Sequence, residues 1–188
     1  MKFFRLLFLL FLALQTQSEQ LKNILFVGNS YLYYNNSVHN YVELMLREHH
    51  GSEIETKLSA IGGSKLHHHN IDHLLNPKNL NLDQQIDLLI MQGGSTEVVL
   101  ERDQEKFIQT VQQYSAKAQK LGVKTALYMT HAFTKADRRF EPNLIKKISK
   151  TYFAAGKESN SIVIPVGLAY EIAYKERPDI KLHHVDGP

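Results

Sequence analysis

Five short apolar runs alternate with amphipathic segments along this chain, and this alternation limits the fold more than any other feature. The apolar runs lie at 23–27, 54–58, 86–91, 123–129 and 161–166. Between them, apolar residues recur at helical spacing over 38–49, 104–121 and 143–159. Strands and helices in alternation predict a parallel sheet with helices on both faces. We therefore predict an α/β fold, a three-layer α/β/α sandwich around five parallel strands.

The length and composition fit one folded domain. The chain has 188 residues, of which 43% are hydrophobic and 22% are charged. These values allow a sizeable core and exclude a disordered chain. Because no repeat, low-complexity tract or linker divides the sequence, we predict a single domain over residues 19–188.

The first 18 residues differ from the rest. Lys2 and Arg5 precede an apolar run over 6–14, and small or polar residues follow it. This order is typical of a secretory signal peptide at 1–18, and it predicts export to the periplasm or the extracellular space without stable membrane insertion. A permanent amino-terminal anchor is the alternative, although the run is shorter than the roughly 20 residues of a membrane span.

The net charge limits which partners are expected, and the cysteine count limits how the chain could be attached to a membrane. The formal charge is +3, and removal of 1–18 takes away Lys2 and Arg5 and no acidic residue, which leaves +1. So small a charge predicts no nucleic acid and no anionic membrane as partner. The chain has no cysteine, which excludes lipoprotein attachment and is compatible with export.

One serine stands where α/β enzymes carry nucleophiles. The first apolar run, Asn23-Ile-Leu-Phe-Val27, ends at Gly28-Asn29-Ser30, and a helical segment follows. Ligands of open parallel sheets bind beyond the carboxyl ends of the strands, so this position predicts a site at Ser30. The alternative is a turn in which Gly28 supplies unusual backbone angles and Ser30 only caps the next helix.

Glycine-rich or polar loops follow the next three strands. Counting Gly28-Asn29-Ser30 as the first loop, they are the second loop, Ala60-Ile-Gly-Gly-Ser64, the third loop, Gln92-Gly-Gly-Ser-Thr96, and the fourth loop, Thr130-His131. In a parallel sheet, these loops should converge with Ser30 on one crevice. Acyl transfer needs a nucleophile, a base and donors for the oxyanion, and glycine loops can expose backbone N–H groups as such donors. Each glycine pair could instead form a simple tight turn.

The order of these loops along residues 22–188 is similar to the order of the sequence blocks in the SGNH, or GDSL-like, hydrolase superfamily, which this sequence resembles. Gly28-Asn29-Ser30 is similar to the Gly-Asp-Ser block, with asparagine in place of aspartate as in several exported subgroups. The resemblance implies a flavodoxin-like sandwich and an esterase with Ser30 as nucleophile, without a cofactor or a metal. It also implies an oxyanion hole of Ser30, Gly63 and a residue of the third block. That block is usually Gly-x-Asn; here it is Gly94-Ser95-Thr96, so Thr96 or Gln92 is the expected substitute.

The last block of the family is Asp-x-x-His, and Asp186-Gly187-Pro188 matches its first three positions. The resemblance therefore implies that Asp186 orients a histidine at the position after Pro188, and that this histidine takes the proton from Ser30. We expect a domain truncated at its carboxyl terminus, without this base and without the usual last helix, and with little esterase activity. His183 and His184 precede Asp186 and could replace the base only by rearrangement.

A histidine-rich segment after the second strand suggests a metal site as an alternative. His67, His68, His69 and His73 lie close together in the sequence. On a helix, His69 and His73 would share a face at a spacing that zinc sites use. Only Asp72 offers a nearby acidic ligand, so a solvated polar helix face is favoured over a metal-assisted hydrolase.

The residues around the crevice indicate the substrate class only broadly. Four residues are expected to contact substrate: Asn29, Tyr31, Gln92 and His131. For His131, a buried and hydrogen-bonded structural role is equally compatible. The side chains after Ser30 could face a sugar or pack against the next helix; they are Tyr31, Tyr33, Tyr34 and Asn35. We predict an esterase of small acyl esters, including acetylated carbohydrate, with a non-catalytic carbohydrate-binding or scaffold protein as the alternative.

Overall fold

A computed structural model describes residues 21–51 and 53–183. Its strands are β1 (Asn23–Gly28), β2 (Glu55–Ala60), β3 (Leu88–Met91), β4 (Lys124–Tyr128) and β5 (Ile162–Ile164). They form one sheet in the order β2-β1-β3-β4-β5, and every neighbouring pair is parallel. The predicted five-stranded parallel sheet is confirmed.

Six α-helices connect and cover the strands within the described residues. They are α1 (Ser30–Tyr33), α2 (Val38–His50), α3 (Ile71–Leu74), α4 (Glu101–Lys120), α5 (Leu144–Ser159) and α6 (Val166–Glu176). Short 3₁₀ turns at Leu66–His68 and Pro77–Leu80 lie in the connection between β2 and β3.

The core consists of two apolar layers, one on each face of the sheet. All six residues of β1 are buried, as expected for an inner strand of a parallel sheet. Leu25 packs into the layer that contains Phe107 of α4 and Tyr152 of α5. The next residue, Phe26, packs with Leu32 into the opposite layer, which α2 helps to cover. Successive side chains of a strand point to opposite faces, so one strand supplies both layers.

Helix α6 is an element that the sequence analysis missed. The fifth apolar run was extended to Val166, whereas β5 ends at Ile164 and Val166 begins α6. Pro165 explains the boundary, because proline has no N–H for the sheet. Its carbonyl accepts the N–H groups of Leu168 and Ala169 and so opens the helix.

The ends of the chain carry predictions that the structure does not reach. Residues 1–18, the predicted signal peptide, lie outside the described residues, and so does Asp186. Their proposed roles therefore stay predictions. Within residues 21–51 and 53–183, no helix is long and apolar enough to cross a membrane.

Candidate active site

Ser30 lies at the carboxyl end of β1, between the ends of β2 and β3. It is the first residue of α1 and is half-buried. Gly28 lies two residues before it, and an added Cβ there would lie 2.6 Å from Gln92 Oε1 and 2.8 Å from Leu32 Cδ1, so both side chains would have to shift. The end of β1 therefore lies close to Gln92 of the third loop.

Asn29 joins three strand ends to one another. Its backbone N–H donates to Gln92 Oε1 at 3.0 Å, and its side-chain Nδ2 donates to the Ser64 carbonyl oxygen at 3.1 Å. Its Oδ1 accepts the N–H of Tyr31 at 3.1 Å and caps α1. With only 4% of its surface exposed, Asn29 holds the backbone on both sides of Ser30.

This geometry gives a physical reason for asparagine rather than aspartate. Asn29→Asp is expected to lower the free energy of unfolding by about 2–3 kcal/mol near neutral pH, because a carboxylate cannot donate to the Ser64 carbonyl. Burial would raise the pKa of the new carboxyl, so the neutral acid, which can donate, would persist at low pH. The penalty should therefore be small below about pH 4 and grow as the pH rises.

Urea unfolding of the wild type and of Asn29→Asp at acidic and at neutral pH measures this effect. Asn143→Asp is the matched control, because Asn143 is exposed and its side chain makes no capping hydrogen bond. A penalty for Asn29→Asp that did not change with pH would contradict the donor role of Asn29.

The second loop is tied to β1 by His69. The imidazole Nε2 of His69 lies 2.9 Å from the Gly28 carbonyl oxygen, which can only accept, so Nε2 carries the proton. Ser64 Oγ donates to the same carbonyl at 3.3 Å. Burial lowers the pKa of His69, although the hydrogen bond to Gly28 opposes this shift. His69 is thus a neutral residue that fastens the loop under Ser30.

The third loop is held from below by a buried carboxyl group. Glu97 is 0% exposed, and its Oε2 accepts the N–H of Gly94 at 2.7 Å and that of Leu66 at 3.0 Å. Its Oε1 lies 3.6 Å from His67 Nδ1. Glu97 therefore joins the third loop to the segment after β2. The Gly94 N–H is turned towards Glu97, so it does not serve as an oxyanion donor in this conformation.

His131, beyond the end of β4, is enclosed by aromatic rings. It stacks on Tyr170 with centroids 4.7 Å apart, and its centroid lies 4.8 Å from that of Tyr31. Burial, with a contribution from His183, lowers the pKa of His131 to about 4. The ring is therefore neutral at neutral pH. Its Nδ1 lies 3.2 Å from the Ala132 carbonyl oxygen and carries the proton, so Nε2 is the acceptor.

His183 completes the same aromatic cluster. Its Nε2 donates to the Ala132 carbonyl oxygen at 2.9 Å, and its Nδ1 lies 2.7 Å from the Tyr174 hydroxyl. That hydroxyl donates to Nδ1 and accepts the backbone N–H groups of Leu182 and His183, each at 3.0 Å. Because both ring nitrogens have partners, this arrangement does not favour His183 as a substitute base. His184 lies outside the described residues.

These elements enclose a cleft of about 740 Å³ at the carboxyl ends of the strands. Its walls combine the candidate nucleophile with hydroxyl groups and aromatic rings. The lining residues are Ser30, Tyr31, Tyr34, Asn35, Val38, Tyr41, Ser95, Tyr128, His131, Arg139, Tyr170 and Leu182. A serine at the start of a helix, in a cleft of this size, is arranged to meet a small substrate.

The fold of this chain is shared with solved proteins. AlinE4, an SGNH-hydrolase family esterase, is 19% identical, with a TM-score of 0.63 over 88% of this chain and 86% of that chain. The acetyl xylan esterase AlAXEase is 21% identical, with a TM-score of 0.61 over 87% of each chain. The fold is that of the SGNH hydrolases.

A third protein with this fold is a DUF4886 family protein from Bacteroides uniformis. It is 17% identical, with a TM-score of 0.58 over 81% of this chain and 70% of that chain. No protein-family model matches the sequence, and no curated protein matches it. The likeness to known proteins therefore lies in the three-dimensional structure.

Some of the predicted site residues line the cleft, and others are buried behind it. Ser30, Tyr31 and His131 line the cleft, whereas Asn29 and Gln92 are buried behind it. Gln92 accepts the Asn29 N–H, and its own Nε2 is directed at the Gly93 carbonyl oxygen. Asn29 and Gln92 thus support the loops around Ser30 and are placed to position it.

The two predicted oxyanion loops differ from the expectation in detail. Gly63 is exposed and has a φ of +69°, a left-handed conformation that favours glycine, but it is not among the residues that line the cleft. Thr96 is also exposed, and its neighbour Ser95 lines the cleft instead. The part of Gly63 and Thr96 in an oxyanion hole therefore stays a prediction.

The histidine-rich segment does not form the predicted helix face. His67 and His68 lie in a 3₁₀ turn, His69 has an extended backbone, and His73 belongs to the separate four-residue helix α3. His69 is 5% exposed and bonded to β1, so its expected place on a solvated face is wrong. In residues 21–51 and 53–183, no group of three or more histidine or acidic side chains could hold a metal ion.

Several residues around the cleft were missed by the sequence analysis. They are Ser95, Glu97, Arg139, Tyr170 and Tyr174. For Glu97, the available signal was an acidic residue three positions after the loop glycine Gly94, where it can bond back to that loop. Tyr170 and Tyr174 lie one turn apart on α6, so finding them required that helix to be predicted.

Proposed function

We propose that this chain is an esterase that removes small acyl groups, in particular acetyl groups, from carbohydrate hydroxyls, with Ser30 as the nucleophile. One observation carries the proposal: Ser30 begins α1 at the carboxyl end of β1, inside an aromatic cleft, on a backbone held by Asn29. The esterase names of AlinE4 and AlAXEase, which share the fold, support this choice of reaction.

The proposed reaction proceeds through an acyl-enzyme. Ser30 Oγ attacks the ester carbonyl carbon, and the resulting oxyanion is stabilised by backbone N–H groups around Ser30. Collapse of this intermediate breaks the bond to the alcohol, which leaves with a proton, and the acyl group stays on Ser30. Water then attacks the acyl-enzyme and releases the acid. We propose that Asp186 and a histidine after Pro188 supply the base.

The lining of the cleft supports a carbohydrate as the alcohol component. Five tyrosines are among the lining residues: Tyr31, Tyr34, Tyr41, Tyr128 and Tyr170. Such side chains can stack on a sugar ring and bond its hydroxyls. One protein with the same fold is an acetyl xylan esterase, which supports an acetylated polysaccharide as the type of substrate.

The test of this function is loss of ester hydrolysis when Ser30 is replaced by alanine, measured on p-nitrophenyl acetate and on acetylated xylan.

We also propose that the protein is exported after cleavage near residue 18, on the basis of the segment 1–18. Mass spectrometry of the amino terminus of the mature protein tests the export, and an intact Met1 would refute it.

A further inference from the structure

The cleft that contains Ser30 has one ionised side chain in its wall. Among the described residues that line it, Arg139 is the only one that carries a charge at neutral pH. The others offer hydroxyls, an amide, apolar groups and His131, which is neutral because its pKa is lowered to about 4. A guanidinium in an otherwise neutral cleft offers N–H donors to an anionic group, and its carboxylate partner, Asp137, is not among the lining residues.

Arg139 is held in a fixed position. Its Nε lies 2.9 Å from Asp137 Oδ1 and its Nη2 lies 2.5 Å from Asp137 Oδ2, a bidentate pair. Its Cζ lies 4.0 Å from the centroid of the Phe133 ring. A guanidinium that is already oriented loses little conformational freedom when it binds a ligand.

The carboxylate partner of Arg139, Asp137, does not line the cleft. The Asp137 side chain is 5% exposed, compared with 36% for that of Arg139. The hydrogen bonds from Arg139 lower the pKa of Asp137 to about 2, so this carboxyl group stays ionised. The pair uses the Nε–H and one N–H of Nη2, which leaves three N–H groups of the guanidinium outside this pair.

We propose that Arg139 binds a carboxylate of the substrate, and that the cleft accepts acyl esters of an acidic sugar, a uronic acid. This inference rests on the proposed esterase function. Arg139 and Ser30 line the same cleft, so the carboxylate would bind in the cleft that contains the nucleophile. A planar carboxylate matches the remaining edge of one guanidinium, whereas a phosphate dianion would call for further cationic donors.

The test compares two substrates that differ only in charge. These are an acetylated methyl glucuronoside and its carboxyl methyl ester, and the quantity measured is the ratio of their kcat/KM values. The wild type should prefer the carboxylate, and Arg139→Gln should lower this ratio about 10- to 100-fold, the loss expected for a charge-assisted hydrogen bond. Arg139→Lys keeps the positive charge but loses the planar guanidinium that can bond a carboxylate through two N–H groups. It should therefore retain part of the preference.

Arg138→Gln is the matched control. Arg138 is exposed, lies in the same loop and carries the same charge, but it is not among the lining residues. Its substitution should leave the ratio unchanged. An equal change of the ratio in Arg138→Gln and Arg139→Gln, or no change in either, would overturn the carboxylate site while leaving Ser30-dependent hydrolysis intact.

A binding measurement separates this inference from the proposed function. If the wild type hydrolyses neither glucuronoside and is also inactive on p-nitrophenyl acetate and acetylated xylan, the proposed function fails. Calorimetric titration of glucuronate into the wild type and into Arg139→Gln then tests the carboxylate site independently of catalysis. Binding that weakens at least about tenfold in the variant supports the site, and absence of binding to the wild type overturns it. Circular dichroism confirms that each variant is folded.

Discussion

Ser30→Ala is expected to lower kcat/KM for p-nitrophenyl acetate and acetylated xylan by at least about 1000-fold. The substitution removes the oxygen that attacks the ester carbonyl. It leaves the cleft and the bonds of Asn29 in place, because the Ser30 side chain makes none of them. Initial rates with purified wild type and variant measure the loss, and the assay uses the full natural protein with any residues that follow Pro188.

A labelling experiment distinguishes a lost nucleophile from a damaged fold. A fluorophosphonate should modify the wild type on the peptide that contains Ser30, which mass spectrometry identifies, and it should not modify Ser30→Ala. Ser149→Ala is the control, since Ser149 lies on α5 and does not line the cleft. Full activity of Ser30→Ala would show that Ser30 is not the nucleophile. An unlabelled and inactive wild type would favour the carbohydrate-binding alternative.

Glu97→Ala is expected to lower the free energy of unfolding by about 3–5 kcal/mol. The change leaves the buried N–H groups of Gly94 and Leu66 without their acceptor and opens a cavity where the side chain was. Urea unfolding followed by circular dichroism measures the loss. Ester hydrolysis should fall as well, because the third loop that contains Ser95 would no longer be held.

Glu97→Gln is the matched variant. Its amide oxygen can accept both N–H groups, and its Nε2 can face His67 in place of the second carboxylate oxygen. We therefore expect it to lose no more than about 1 kcal/mol. A Glu97→Ala variant as stable as Glu97→Gln would show that the two hydrogen bonds contribute nothing to the fold.

The predicted fold follows from local pattern, and the structure confirms it. Strand β1 is a short run of apolar residues that ends at Gly28, and such a run forms an inner parallel strand when helical segments lie between it and the other strands. The boundary of β5 was misjudged, because Pro165 is flanked by apolar residues on both sides and the periodicity does not mark where the strand gives way to α6.

The supporting contacts of the candidate site could not be predicted in the same way. Asn29 bonds to Ser64 and to Gln92, which are 35 and 63 positions away along the chain. His69 reaches the Gly28 carbonyl across 41 positions. No spacing rule covers such pairs, since they arise only when successive strands are placed side by side in the sheet.

The sequence by itself therefore determined the parallel sheet and the place of Ser30 at the end of its first strand. Both depend on the local alternation of apolar and polar residues and on the glycine that ends the strand. Only the tertiary structure decided which groups surround Ser30: Glu97 beneath the third loop, His69 beneath β1, and Arg139 in the cleft wall. The physical reason is that burial and charge at a site are set by residues that the fold brings together from distant parts of the chain.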